Sequence, residues 1–271
     1  MLKTGVCSVT FRRYSAREVV GFAKQAGLEA IEWGGDVHVP PNDLTTARIV
    51  RESTVDAGLA VSSYGSYYRV LDEEGNPDAF EPVLDTALAL GTDTIRIWPG
   101  MRPSESAGET YRKSFMEQLR ASLDLAAEQG IRLVLEFHAN TLADSNTAAC
   151  TLLSELNHPN LFVCWHPMYW VADLPYRLQG LEAMGNRVLN LHVFHCLFRP
   201  FAGTWGENIE RRPLVEGRGD WHRYFSVPLA EGDNFALLEF ARNDAPEQFL
   251  EDAATLKRML NAGYGKRSRM Y

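Results

Sequence analysis

The sequence predicts an α/β protein built as one (β/α)8 TIM barrel over residues 1–271, and three observations predict it. Short apolar runs alternate with longer amphipathic stretches from end to end, which is the pattern of strands and crossover helices. A glycine closes several of the helical stretches just before the next apolar run, at Gly27, Gly58, Gly91 and Gly130, where a left-handed residue ends a helix at little cost. Eight strands in 271 residues give a repeat of about 34, the size of one strand plus its crossover helix, and the right-handed crossover favours closure. A doubly wound open sheet is the other reading, but no GxGxxG opens a helix after the first strand.

The eight predicted strands are Lys3 to Thr10, Leu28 to Trp33, Leu59 to Tyr64, Thr94 to Trp98, Arg132 to Phe137, Leu161 to Trp165, Arg187 to Val193 and Asn234 to Phe240. The clearest helices between them are Ser15 to Gln25, Thr45 to Ala57, Thr110 to Glu128 and Pro246 to Asn261. Ser15 and Glu18 have capping-box spacing, so the first helix is expected to start there. No Pro, Gly and Ser-rich linker divides the chain. The longest stretch without an assigned element, His195 to Arg218, follows a strand end on the side where barrels of this kind carry their chemistry, and it reads as a lid.

The bulk composition excludes some functions. A formal charge of −8 leaves no basic footprint for nucleic acid or for an anionic membrane surface. The four cysteines, Cys7, Cys150, Cys164 and Cys196, have no CxxC spacing and read as reduced thiols, which favours the cytoplasm. The chain enters a strand-like run directly after Thr4, with no signal-peptide pattern and no apolar stretch of about 18 residues.

Residues in the last positions of barrel strands face the active-site mouth. Here those positions carry Glu32-Trp33, Tyr64, Arg96 and Trp98, Glu136-Phe137-His138, His166, His192 and Glu239. A single Glu or His in an apolar run is more often a satisfied interior group. On four successive strands, however, Glu136, His166, His192 and Glu239 are placed to converge as a two-Glu, two-His metal site. Two imidazoles favour manganese, cobalt, iron or zinc over magnesium. His195 also lies near the seventh strand end, but His192 is within the strand run. Trp33, Tyr64 and Trp98 are candidates for lining a pocket for a sugar or polyol, because aromatic faces stack on C–H surfaces. Arg69, Arg102 and Arg199 are candidates for a phosphate or carboxylate on the substrate, each weighed against an ordinary surface arginine.

The stretches Glu32-Trp33-Gly34-Gly35-Asp36-Val37-His38, Ser63-Tyr64-Gly65-Ser66-Tyr67-Tyr68 and Glu136-Phe137-His138-Ala139-Asn140-Thr141-Leu142 resemble the xylose isomerase-like superfamily. That superfamily includes ketose 3-epimerases, hydroxypyruvate isomerase, inosose dehydratase and endonuclease IV. The resemblance implies a divalent ion held by Glu136, His192 and Glu239, with His166 standing where the family has Asp. The alternative is a site that has lost its ion through that replacement. The resemblance further implies a sugar isomerase or epimerase working through an enediolate, with Glu136 and Glu239 as acid/base pair and His138 or Arg96 donating to substrate oxygens. A lyase or dehydratase on the same site, and a metal-free sugar-binding barrel, are the alternatives. An endonuclease IV-like role would need more ligands and a basic groove. Dimers and tetramers are common in the family, which makes a homo-oligomer a candidate state.

Overall fold

The computed structural model describes residues 2–171, 173–199 and 209–264. Eight parallel strands close into a barrel: β1 (Leu2–Cys7), β2 (Ala30–Gly34), β3 (Ala60–Gly65), β4 (Thr94–Ile97), β5 (Arg132–Glu136), β6 (Leu161–Trp165), β7 (Val188–Val193) and β10 (Asn234–Leu238). Each pairs with its neighbours in sequence order, and β10 closes the ring against β1 from Leu2 opposite Asn234 to Val6 opposite Leu238. The helices α1 (Ala16–Gln25), α2 (Leu44–Asp56), α3 (Glu81–Leu90), α4 (Glu109–Glu128), α5 (Asn146–Leu156), α6 (Leu174–Met184), α7 (Arg218–Tyr224) and α8 (Pro246–Tyr264) follow the barrel strands in turn. The predicted first strand is too long at its end, because Ser8–Phe11 turns into a short 3-10 helix.

Local sequence explains the element ends. The Ser15 hydroxyl accepts from the Glu18 backbone while the Glu18 carboxylate accepts from the Ser15 N–H, the predicted reciprocal cap. Gly91 ends α3 at a φ of +75°, with its N–H shared between the carbonyls of Ala87 and Leu88. A side chain at that position would also run into Arg51.

The stretch from His195 to Arg218 contains structure that the sequence did not reveal. β8 (His195–Phe198) pairs antiparallel with β9 (Ile209–Arg212), so the two arms form a hairpin standing over the barrel mouth. The part of the expected lid at 200–208 lies outside the described residues. Among the described residues no helix is long and apolar enough to cross a membrane.

Behind the hairpin, Asp252 on α8 is buried and accepts from the Leu214 N–H at 2.8 Å and from the Gln248 amide at 3.1 Å. Burial outweighs these bonds and pushes its pKa up to about 6. Protons bind the folded chain more tightly than the unfolded one, so stability is lost as pH rises from about 4, where a free carboxyl titrates, through about 6. Asp252→Asn keeps an accepting oxygen and carries no charge. The variant is expected to melt close to the parent at acid pH and above it at neutral pH. A gap that does not widen with pH would contradict this account.

Candidate active site

Strand alternation decides which side chains enter the barrel. On β2 a register shift after Ile31 sets Glu32 opposite Ser63, skipping Ser62, so Glu32 and Ser63 share the inner face. Trp33 and Tyr64 are the next residues along and must point the other way. Trp33 donates to the Thr54 hydroxyl of α2 at 3.1 Å, and Tyr64 donates to the Val39 carbonyl at 2.9 Å. Both are fully buried in the layer between barrel and helices. This corrects the expectation that they line the pocket.

Inside the mouth, Arg96 from β4 is buried between two carboxylates. Its Nε donates to Glu32 Oε1 at 2.9 Å, and its other end pairs closely with Glu136 Oε2. Both carboxylates are themselves buried. Burial disfavours the charge on Glu32, but Arg96 and His192 outweigh it and hold the carboxyl well below the usual range. The Arg96 cation is favoured in turn. Glycine at 65 makes room for it, because a Cβ there would lie 2.6 Å from the guanidinium and 3.0 Å from Glu32 Oε1. The Tyr67 ring covers the guanidinium, 5.2 Å away.

His192 occupies the centre. Its Nδ1 lies 3.3 Å from Glu239 Oε2 and 3.8 Å from Glu136 Oε1, while Nε2 lies 3.4 Å from Glu32 Oε1. Nδ1 is buried and makes no hydrogen bond of acceptable geometry. Burial opposes a charge on the ring, but the nearby Cys164 and Cys7 sulfurs and the Glu239 and Glu32 carboxylates raise its pKa well above the ordinary value. Burial pushes the Cys164 thiol up to about 11 and raises Cys7 as well, so the thiols are neutral and the carboxylates are what favour the imidazolium. Glu239 is held low by His192 against the opposing effect of burial.

One ligand atom each from Glu136, His192 and Glu239 lies within 4.8 Å of the others. An orphaned imidazole nitrogen facing two buried carboxylates fits a divalent cation, which would take the place of the proton on Nδ1. His166 does not join this group, which corrects the four-ligand expectation. Its ring is held in an aromatic wall beside Tyr169 and Phe194, with Nδ1 donating to the Pro167 carbonyl at 3.2 Å. Burial lowers its pKa to about 4. A set of three protein ligands would leave coordination positions open, as catalytic metal sites require. With a single imidazole in the set, the argument from two imidazoles for manganese, cobalt, iron or zinc over magnesium no longer applies.

Above this floor opens a cavity of about 710 Å³, a size suited to a small molecule. Arg96, Trp98, Glu136, His138, His166 and Glu239 line it, as the strand-end rule predicts. Trp98 stacks on His138 with ring centres 4.6 Å apart. His138 Nδ1 donates to the Ala139 carbonyl at 2.8 Å, which leaves Nε2 as the accepting nitrogen.

Sequence reasoning missed the rest of the wall. Arg12 and Tyr67 contribute from the first and third strand ends, Phe240 from the eighth barrel strand end, and Cys196 and Arg211 from the hairpin. Tyr67 and Phe240 take φ values of +58° and +61°, which side chains rarely adopt, so both walls are held in strained backbone. Arg12 is paired with Asp36 and with the Tyr67 hydroxyl, and Arg211 with Asp244. Of the arginines proposed from sequence, Arg199 pairs with Glu210 and is not among the cavity-lining residues, Arg69 pairs with Asp78, and Arg102 donates to the Glu73 carbonyl. Arg199 therefore does not line the described site. His195, the first residue of the hairpin, has its ring beside Gly217 and is not among the cavity-lining residues.

Comparison with known proteins agrees with this architecture. A 3-dehydroshikimate dehydratase of Bacillus anthracis is 27% identical over 168 residues, 59% of this chain and 60% of that protein. The chain thus matches about three-fifths of the length of that curated relative. The crystal structure of a probable 3-DHS dehydratase involved in petrobactin synthesis, also from Bacillus anthracis, superposes with a TM-score of 0.76 at 21% identity, covering 95% of this chain and 99% of the other. A D-allulose 3-epimerase from Methylomonas sp. in complex with D-allulose superposes with a TM-score of 0.67 at 16% identity, over 96% of each chain. Residues 20–259 match the xylose isomerase-like TIM barrel family. With the closed eight-stranded barrel, that match places the chain in the xylose isomerase-like TIM barrel family.

Proposed function

We propose that this chain is a lyase that removes water from a small hydroxylated carbonyl compound. The observation that carries the reading is the state of the bases around the cavity. Glu136 is engaged by Arg96 and Glu239 by His192, while His138 Nε2 has no hydrogen-bond partner among the described residues. An epimerase needs proton-moving groups on both faces of the reacting carbon. His166 also lines the cavity with only its Nδ1 engaged, but burial lowers its pKa to about 4. His138 is thus left as the basic imidazole, which suits an elimination in which a single base takes the proton and returns it to the departing hydroxyl.

Glu136, His192 and Glu239 would hold a divalent cation, which when bound supplies the fixed positive charge that stabilises an enolate oxygen. Arg96 and Glu32 keep Glu136 in place. Trp98 fixes the His138 ring, and the Ala139 carbonyl fixes its tautomer. His138 Nε2 takes the carbon-bound proton next to the carbonyl. The electron pair left on carbon forms the double bond as the hydroxyl on the adjacent carbon leaves, and that hydroxyl departs as water with the proton from His138. His166 is the poorer base because its conjugate acid titrates near 4. The carboxylates hold the cation in this reading and do not act as the acid/base pair expected from sequence. The similarity to a 3-dehydroshikimate dehydratase supports an elimination of this kind.

The test is incubation with manganese or magnesium in deuterated water, with 3-dehydroshikimate and with a ketose such as D-allulose, followed by mass spectrometry. Loss of one water from a substrate is the expected result. Deuterium incorporation without loss of water would assign the site to an isomerase or epimerase instead. No change in either compound with any divalent ion would favour a sugar-binding barrel without catalysis.

A further inference from the structure

We propose that Glu32, at the base of the cavity, is the positioning residue of the site, holding His192 in the tautomer that can bind a cation and Arg96 in the orientation that pins Glu136. The inference rests on the cation-centre reading above. Glu32 sits on the inner face of β2, almost fully buried and below the reach of a substrate, and it is absent from the cavity lining. Its carboxylate is the common acceptor for three inward side chains from three other strands. The Ser63 hydroxyl donates to Oε2 at 2.7 Å and Arg96 Nε to Oε1 at 2.9 Å, while His192 Nε2 lies 3.4 and 3.5 Å from the two oxygens.

An imidazole bound to a metal through one nitrogen carries its proton on the other, and the acceptor of that proton fixes the tautomer. A buried carboxylate accepts and does not donate, so next to Glu32 the Nε2 position carries hydrogen. Nδ1 is thereby the nitrogen directed at Glu136 and Glu239, and it is the one without a hydrogen bond of its own. The second hold acts through Arg96, whose far end pairs with Glu136 Oε2 and leaves Oε1 toward His192. One carboxylate thus orients two of the three groups that would hold the cation.

Glu32→Gln tests this with two readouts besides activity. Manganese affinity, measured by titration calorimetry on the full chain, is expected to fall about 10- to 100-fold, the usual effect of losing such a partner. Nitrogen NMR of the histidine rings is expected to show that zinc removes the His192 Nδ1 proton and leaves Nε2 protonated in the parent, with that Nε2 proton exchanging rapidly in the variant. Unchanged manganese affinity together with an unchanged Nε2 proton in Glu32→Gln would overturn the proposal. If the parent binds neither manganese nor zinc, the cation-centre reading fails, while the exchange rate of the Nε2 proton, slow beside Glu32 in the parent and fast in Glu32→Gln, still tests the contact with Glu32. Should Glu32→Gln not fold, Ser63→Ala loosens the same carboxylate without removing its charge. A smaller loss of manganese affinity is then expected, and an unprotonated Nε2 in the parent would sink the idea without any variant.

Discussion

Replacing Arg96 with Met is expected to destabilise the chain by about 3–5 kcal/mol, the range seen when one partner of a buried ion pair is removed. Met fills similar space and leaves two buried carboxylates, Glu32 and Glu136, without their cation. The cost is the desolvation of charges left unpaired, so it should fall when one charge is also removed. Arg96→Met combined with Glu32→Gln is therefore expected to be more stable than Arg96→Met alone. Urea denaturation of the four species forms a cycle whose coupling should exceed about 1 kcal/mol. A loss below that in the single variant would mean that solvent reaches the pair, and the description of a closed charge network under the cavity would have to be abandoned.

The second large effect concerns turnover. With the substrate found in the dehydration screen, His138→Gln is expected to lower kcat by about 10²- to 10⁴-fold, the usual contribution of a general base. Manganese affinity should stay at the parent level, because His138 is not among the grouped ligand residues. Glu239→Gln should lose manganese binding and turnover together. This contrast separates a proton-moving group from a cation-holding one. If Glu239→Gln keeps its manganese and loses only turnover, Glu239 is a base after all and the acid/base pair expected from sequence is restored. If His138→Gln turns over normally, the assignment of the base fails.

The barrel was legible because it is written in local signals. Each strand is a short apolar run with a breaker after it, and the reciprocal Ser15 and Glu18 cap and the left-handed Gly91 appear where the residues placed them. The inner ring was partly legible for the same reason, since a Glu or His at the end of an apolar run has few bland explanations when four strands in a row carry one. Trp33 and Tyr64 were misplaced although the needed rule was at hand. Neighbours on a strand face opposite sides, so Glu32 and Trp33 do not both enter the barrel. Choosing between them required the register shift after Ile31, which no residue type announces.

By itself, then, the sequence determined the closed order of strands and helices and the set of polar residues delivered to one end of the barrel. Hydrophobic period, helix caps and strand ends are properties of neighbours along the chain. Only the tertiary structure decided which of those residues meet. It left His166 in an aromatic wall, joined Glu136, His192 and Glu239 within ligand distance, and set Glu32 beneath them as a shared acceptor. These contacts join residues as far apart in the chain as Glu32 and His192, and they depend on strand register and on the energetic demand that every buried charge find a partner. Neither condition can be read from residue order before the barrel has closed.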